Sequence, residues 1–143
     1  MKWNVIFPAV ALLLLASCTN KQRSSAEMPD GPYCFTYIMS LDTISLNINV
    51  TGSEFSGSMR YGFYEKDQSN GTITGKIKGN RLIGEYDFTA EGMESVSEII
   101  FEKRGDELYV GFGEMEDKEG KMVYIDPDKL NFETFVLKKA DCK

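Results

Sequence analysis

The sequence predicts an all-β domain, a single antiparallel meander of about eight strands closing as a small barrel or a barrel-like sandwich. Three observations carry this. Apolar residues recur at every second position from Cys34 onward, the period of a strand with one buried face. Glycine, asparagine and aspartate interrupt the alternation at short intervals, where tight hairpins need residues that accept positive φ. No proline falls between Tyr33 and Asp126, so nothing in that span removes a backbone donor from the ladder.

Taken in order, the strands follow from their side chains. Thr43 to Val50 alternates without a fault, with Ile44, Leu46, Ile48 and Val50 on one face and Thr, Ser and Asn on the other. Thr51-Gly52 turns the chain. Phe55, Gly57, Met59, Tyr61 and Phe63 then share a face, opposite Ser56, Ser58 and Arg60. After Asn70-Gly71 come Ile73, Gly75 and Ile77. A turn at Lys78-Gly79-Asn80-Arg81 leads to Leu82, Gly84, Tyr86 and Phe88. Ser97, Ile99 and Phe101 pair with Leu108, Val110 and Phe112 across Gly105-Asp106. A last strand runs near Phe132 to Lys138, with Phe135 and Leu137 on one face.

An apolar-x-Gly-x-apolar unit recurs around Gly57, Gly75 and Gly84, and imperfectly around Gly111. Glycine weakens a strand, so its repeated use marks bends or close backbone approach, which a small barrel needs in order to curl. Room for a ligand is the competing reading. Helix is scarce: beyond the apolar run at the amino terminus, only Met122 to Leu130 suggests a short turn, around Pro127. The acids from Glu114 to Asp128 lack the spacing of an EF-type calcium loop and read as a solvated loop.

The first eighteen residues carry a different message. Met1-Lys2 leads into an apolar run from Val5 to Ala16, then small residues and a cysteine. That is the layout of a secretory signal, with an apolar run of about twelve residues against the roughly 20 needed to span a bilayer. Leu15-Ala16-Ser17-Cys18 resembles the lipobox of bacterial lipoproteins. The resemblance implies cleavage after Ser17, a diacylglyceryl group on the Cys18 thiol and acylation of the new amino terminus. Stable anchoring takes two membrane signals or more, which such a residue provides. Residues 1–17 are then a signal peptide, 18–32 a lipidated cysteine with a flexible, proline-containing tether, and 33–143 the barrel-like domain. Thr19, where an aspartate would imply inner-membrane retention, points to the outer membrane, facing the periplasm.

With Cys18 taken by lipid, Cys34 and Cys142 remain. An oxidising envelope compartment favours a disulfide between them; inert thiols and a redox pair are the alternatives, and no Cys-x-x-Cys is present. Removing residues 1–17 takes away Lys2 and no acid, so 16 basic residues become 15 against 22 acidic ones. That balance disfavours nucleic acid, whose binding rests on Lys/Arg contacts to phosphate.

Catalysis finds little support. The chain has 0 His, which removes Ser-His-Asp and Cys-His arrangements and His-ligated zinc. Neither Ser-x-x-Lys nor Gly-x-Ser-x-Gly occurs. Arg104-Gly105-Asp106 spells an adhesion tripeptide but sits where a hairpin turn is needed. Asp42-Thr43-Ile44 resembles a short O-glycosylation site of some envelope bacteria, and a strand start explains it equally. No catalytic residue, metal ligand or cofactor is expected. The 7 Tyr and 9 Phe are the remaining feature: Tyr37, Met39, Met59, Tyr61 and Tyr86 either line a cavity or fill the barrel. In architecture alone the domain resembles lipocalin-like and copper-stress envelope lipoproteins, without the Cys-x-x-Cys of the latter. The expected function is a non-enzymatic binding or structural module of the envelope, engaging a protein partner; a carrier of a small hydrophobic ligand is the alternative.

Overall fold

The computed structural model describes residues 28–66 and 68–143. The signal segment, Cys18 and residues 19–27 of the tether lie outside the described residues. Ten strands follow: β1 (Gly31–Met39), β2 (Asp42–Thr51), β3 (Glu54–Gly62), β4 (Gln68–Lys78), β5 (Arg81–Ala90), β6 (Met93–Arg104), β7 (Glu107–Val110), β8 (Met115–Lys118), β9 (Lys121–Tyr124) and β10 (Val136–Ala140). β1 to β7 form an antiparallel meander. β10 returns between β7 and β1, and the β5–β6 pairing completes the ring. The result is a closed antiparallel barrel of eight strands, with the β8–β9 hairpin laid along its outside. Among the described residues no helix is long and apolar enough to cross a membrane, a statement that does not extend to strands.

Alternation builds the core as expected. In the β2–β3 ladder Ile44, Leu46, Ile48 and Val50 face Tyr61, Met59, Gly57 and Phe55, all on the inner face. Ile44, Leu46, Val50, Ile73, Leu82, Phe101, Leu108 and Leu137 are fully buried. Each contributes roughly 1.5–3 kcal/mol relative to exposure. No described residue that is polar or charged is buried.

The two ends of the barrel differ. One carries the turns at Gly52, Gly79 and Gly105, the start of β1 and the end of β10. Here Cys34 and Cys142 come together with Cα atoms 5.3 Å apart, a disulfide pair spanning 108 residues. Asp30 accepts a hydrogen bond from the Gly52 backbone N–H at 2.8 Å, tying the entering chain to this stapled end. The other, open end carries the β1–β2 turn, the β3–β4 loop, the β5–β6 turn, residues 111–114 after β7 and residues 131–135 before β10.

Several expectations are corrected. The barrel itself has the eight strands expected, but the acidic stretch read as a solvated loop adds two more, the β8–β9 hairpin. Met-Glu-Asp-Lys in β8 shows no alternation because it lies on the outside as an edge strand, where charge discourages further pairing. Met122 to Leu130 divides between β9 and a single 3-10 turn at Pro127–Lys129, capped by the Asp126 carboxylate. The final strand begins at Val136, four residues after Phe132. The tether also ends sooner than at residue 32: Met28 is buried in the core, and Gly31 and Pro32 already belong to β1. Proline is tolerated at that strand start.

A second, smaller core was not expected. Ile83 and Ile100 face each other on the outside of β5 and β6, and Tyr124, Leu130 and Phe132 cover them. The Arg81 guanidinium lies 5.1 Å from the Phe132 ring centre and donates to the Pro127 carbonyl. This outer cover explains why residues 115–132 fold back along the barrel.

Candidate functional site: an aromatic mouth at the open end

The inner faces of β1, β3 and β5 deliver Tyr37, Tyr61, Tyr86 and Phe88 towards the open end, and the flanking loops add Phe63, Phe112 and Phe135. Their rings form a continuous chain. Tyr37 meets Phe135 edge-on at 5.0 Å, Phe135 stacks on Phe63 at 5.7 Å, and Phe63 touches Tyr61 at 5.7 Å. Tyr61 lies 6.1 Å from Tyr86, and Tyr86 stacks on Phe88 at 4.7 Å. Phe112 closes on Phe135 at 5.6 Å. Such contacts add about 0.5–1.5 kcal/mol per pair beyond area burial.

Around this chain stands an exposed apolar rim. Ile38 and Met93 are each 71% exposed, Leu41 61%, Met39 59% and Tyr64 57%. Single exposed apolar residues are ordinary, whereas a group of them at one end calls for an explanation. The other large exposed apolar side chains among the described residues, Met122 and Ile125, sit on the outer hairpin and its exit. The open end also carries Asp42, Glu65, Glu94 and Glu114, with Lys66, whereas Glu133 lies within electrostatic reach of Arg104.

Beneath the rim a cleft of about 230 Å³ opens between β5, β6 and residues 111–115, lined by Tyr61, Ser69, Tyr86, Phe88, Phe112 and Tyr124 among others. Its polar groups are mostly committed. The Tyr86 hydroxyl donates to the Met59 carbonyl at 3.1 Å, which leaves Ser69 as the donor to Tyr86, also at 3.1 Å. Tyr124 donates to the Gly111 carbonyl at 2.9 Å, and its backbone N–H donates to Glu98 at 2.9 Å. Tyr61 is different: its hydroxyl meets no partner among the described residues. No enclosed side-chain N or O atom of the described residues is left unsatisfied, so the Tyr61 hydroxyl is one the cleft keeps accessible.

Burial raises all three phenols above the ordinary tyrosine range. Tyr61 is raised furthest, by desolvation and then by Tyr124 and Tyr86. Tyr124 is pushed up to about 12 by burial and by Glu98. Tyr86 is raised by burial, with its Ser69 hydrogen bond opposing. At neutral pH each is a hydroxyl donor, and none is a ready nucleophile or base. Among the described residues no group of three or more His, Cys, Asp or Glu side chains converges as a metal site would require.

Each anticipated residue has a definite place. Tyr61 and Tyr86 line the cleft. Met59 is buried at its floor, within the packed core. Tyr37 packs on Phe135 at the mouth, outside the cleft lining. Met39 does not line the interior; it stands on the rim, because β1 runs past its pairing with β10, which ends at Thr36. Cys18 lies outside the described residues. Arg104-Gly105-Asp106 forms the β6–β7 turn at the stapled end. Thr43 donates to the Gly62 carbonyl at 3.4 Å, within the ladder. Phe63, Phe88 and Phe135 were already visible as inward positions of their strands, whereas Tyr124 gave no period-two signal.

The larger hollows lie on the outside of the barrel. One of about 800 Å³ spreads over β1 to β3 among Thr36, Ser45, Asn47, Asn49 and Ser56, the polar faces of their strands. No family model matches this chain, and no curated protein or solved structure matches it either.

Proposed function

We propose that this chain is a lipid-anchored, non-enzymatic binding module of a bacterial envelope, held in the membrane through Cys18 and engaging a partner with the open end of its barrel. One observation carries the reading: among the described residues, most of the large exposed apolar side chains gather at the end opposite the disulfide and the entering chain. The described chain enters at the stapled end, opposite the mouth. The lipobox at Leu15 to Cys18 supports the anchor, and the outer membrane, periplasmic face, is the location it favours.

The test has two arms. Mass spectrometry of the envelope form should find acyl groups on Cys18, and Cys18→Ser should abolish membrane retention. A photoreactive residue placed at Leu41 or Met93 in living cells should cross-link to envelope components, and one placed at Asn80 or Asp106 should not. Equal cross-linking from both ends would sink the binding-module reading.

The carrier reading is second and rests on the cleft. Below it the barrel is filled by Met59, Ile73 and Leu82, so a cargo would have to fit about 230 Å³. Native mass spectrometry separates the two: a ligand of a few hundred daltons that leaves on denaturation would favour the carrier.

A further inference from the structure

Resting on the binding-module reading, we infer that the open end takes a short basic segment of a partner protein, seating one large apolar side chain of that segment in the cleft between Tyr61, Phe88 and Phe112. Three observations converge on this occupant. The cleft, at about 230 Å³, is smaller than the roughly 300–1,000 Å³ of whole small-molecule sites, and it suits a side chain better than a lipid or cofactor. The rim of Ile38, Met39, Leu41 and Met93 extends apolar contact beyond the cleft, as an anchor surrounded by excluding contacts requires. The open end is acidic, with Asp42, Glu65, Glu94 and Glu114 against Lys66. Such a field draws Lys and Arg towards the mouth and repels an anionic membrane or an acidic segment.

Tyr61 adds a directional element. Tyr61 lines the cleft, and its hydroxyl is a protonated donor with no partner among the described residues. Covering it without an acceptor would leave a donor unmet, which is unfavourable. The occupant therefore presents an acceptor there, and an extended peptide carries one at every carbonyl. The anchor fills the apolar part of the cleft, the adjacent carbonyl accepts from Tyr61, and the flanking cations meet the acidic loops.

The experiment uses the mature chain as isolated from the envelope, in zwitterionic nanodiscs if acylated and in buffer if not. It is titrated with fluorescent peptides holding a central Phe between lysines, the same peptide with a central Ala, and a version flanked by glutamates. The lysine-flanked Phe peptide should bind, and more weakly as salt is raised and the Debye length shortens from about 10 Å to about 3 Å. The Ala and glutamate versions should bind about tenfold more weakly or worse. Tyr61→Phe should lower affinity several-fold with an unchanged melting temperature. Replacing Glu65, Glu94 and Glu114 together by Gln should flatten the salt dependence.

Equal binding of the glutamate-flanked or Ala-centred peptide overturns the proposal, as does no binding by any of them. Anionic vesicles that bind where the peptides do not would make the mouth a membrane-contacting surface instead. If these results came with mouth-specific cross-links in cells, the binding-module reading would stand and the basic-segment partner would fall.

Discussion

Gly75 and Gly84 stand opposite each other in the β4–β5 ladder, and the ring of Phe55 lies across both. A Cβ on Gly75 would come 2.2 Å from the Ile83 carbonyl oxygen and 2.7 Å from the Phe55 ring; one on Gly84 would come 2.7 Å from the Thr74 carbonyl oxygen and 2.9 Å from the same ring. The recurring glycines of the strands therefore let backbones and one aromatic ring close up, and they make no room for a ligand at this point. Gly84→Ala should destabilise by roughly 1–3 kcal/mol, the usual range for overpacking, and Gly75→Ala by more. Urea unfolding of both variants checks this. Phe55→Leu removes the ring atom that a Gly84 methyl would strike, so the double variant should lose less than the sum of the singles. Simple additivity would mean the ring is not the obstacle.

The Cys34–Cys142 pair joins the first barrel strand to the tail beyond the last. In the chain-entropy account a closed loop of about 100 residues is worth about 4–5 kcal/mol, taken from the unfolded state. Cys34→Ser with Cys142→Ser should lower the unfolding free energy by up to that amount, read as a lower urea midpoint, and a reductant should do the same to the parent chain. An unchanged midpoint under reductant would place the two cysteines outside any covalent link in the native protein.

Legibility followed burial. β2, β3 and β5 bury one face and expose the other, so their period of two survives into the sequence, and Tyr61, Tyr86, Phe63 and Phe88 fall on the correct face without any tertiary knowledge. β9 joins the edge of β6 in parallel and β8 pairs only with β9, and of Met115 to Lys118 only Met115 turns inward, to the cleft, so no alternation marks the strand. The outer core was hidden for a related reason. Ile83 and Ile100 occupy positions that read as solvent-facing, and only the fold-back of Tyr124, Leu130 and Phe132 buries Ile100 and half-buries Ile83. The mouth was half legible: its aromatics were visible singly, but the meander decides that Leu41, Tyr64 and Met93, from three different turns, share one end. Met39 went the other way, since alternation cannot show where β10 parts from β1.

Raised phenol pKa values have a consequence in alkali. An unfolded tyrosine ionises near the ordinary value of 10.0, whereas Tyr124 in the folded chain holds its proton to about 12, through burial and Glu98. Between those values the folded state binds a proton that the unfolded state has lost, so stability falls as pH rises. The contribution is whole below about pH 10 and lost progressively above it. Tyr61, raised further still by burial, adds in the same direction. The melting temperature should be flat from neutrality to about pH 9 and drop above pH 10. Tyr124→Phe should drop less steeply, from a start lowered by about 1 kcal/mol for the missing bond to Gly111. If the variant falls as steeply as the parent, the tyrosine is not responsible.

Rim residues separate what the fold needs from what the mouth does. Leu41 and Met93 sit at the β1–β2 and β5–β6 turns and are 61% and 71% exposed, so they contribute little to the packed interior. Substitutions of that kind ordinarily change stability by no more than about 0.5 kcal/mol in either direction. Leu41→Ser and Met93→Ser should therefore unfold at the parent's urea concentration, within that margin. Cross-linking from a probe kept at Tyr64 should nonetheless fall sharply, because the partner loses apolar contact on two sides of the cleft. Phe135→Ala is the contrasting case: it removes a ring shared by Tyr37, Phe63 and Phe112, and should lower stability by about 2 kcal/mol as it disrupts the mouth. A rim pair that loses stability while keeping its cross-links would assign those side chains to the core and leave the partner surface elsewhere.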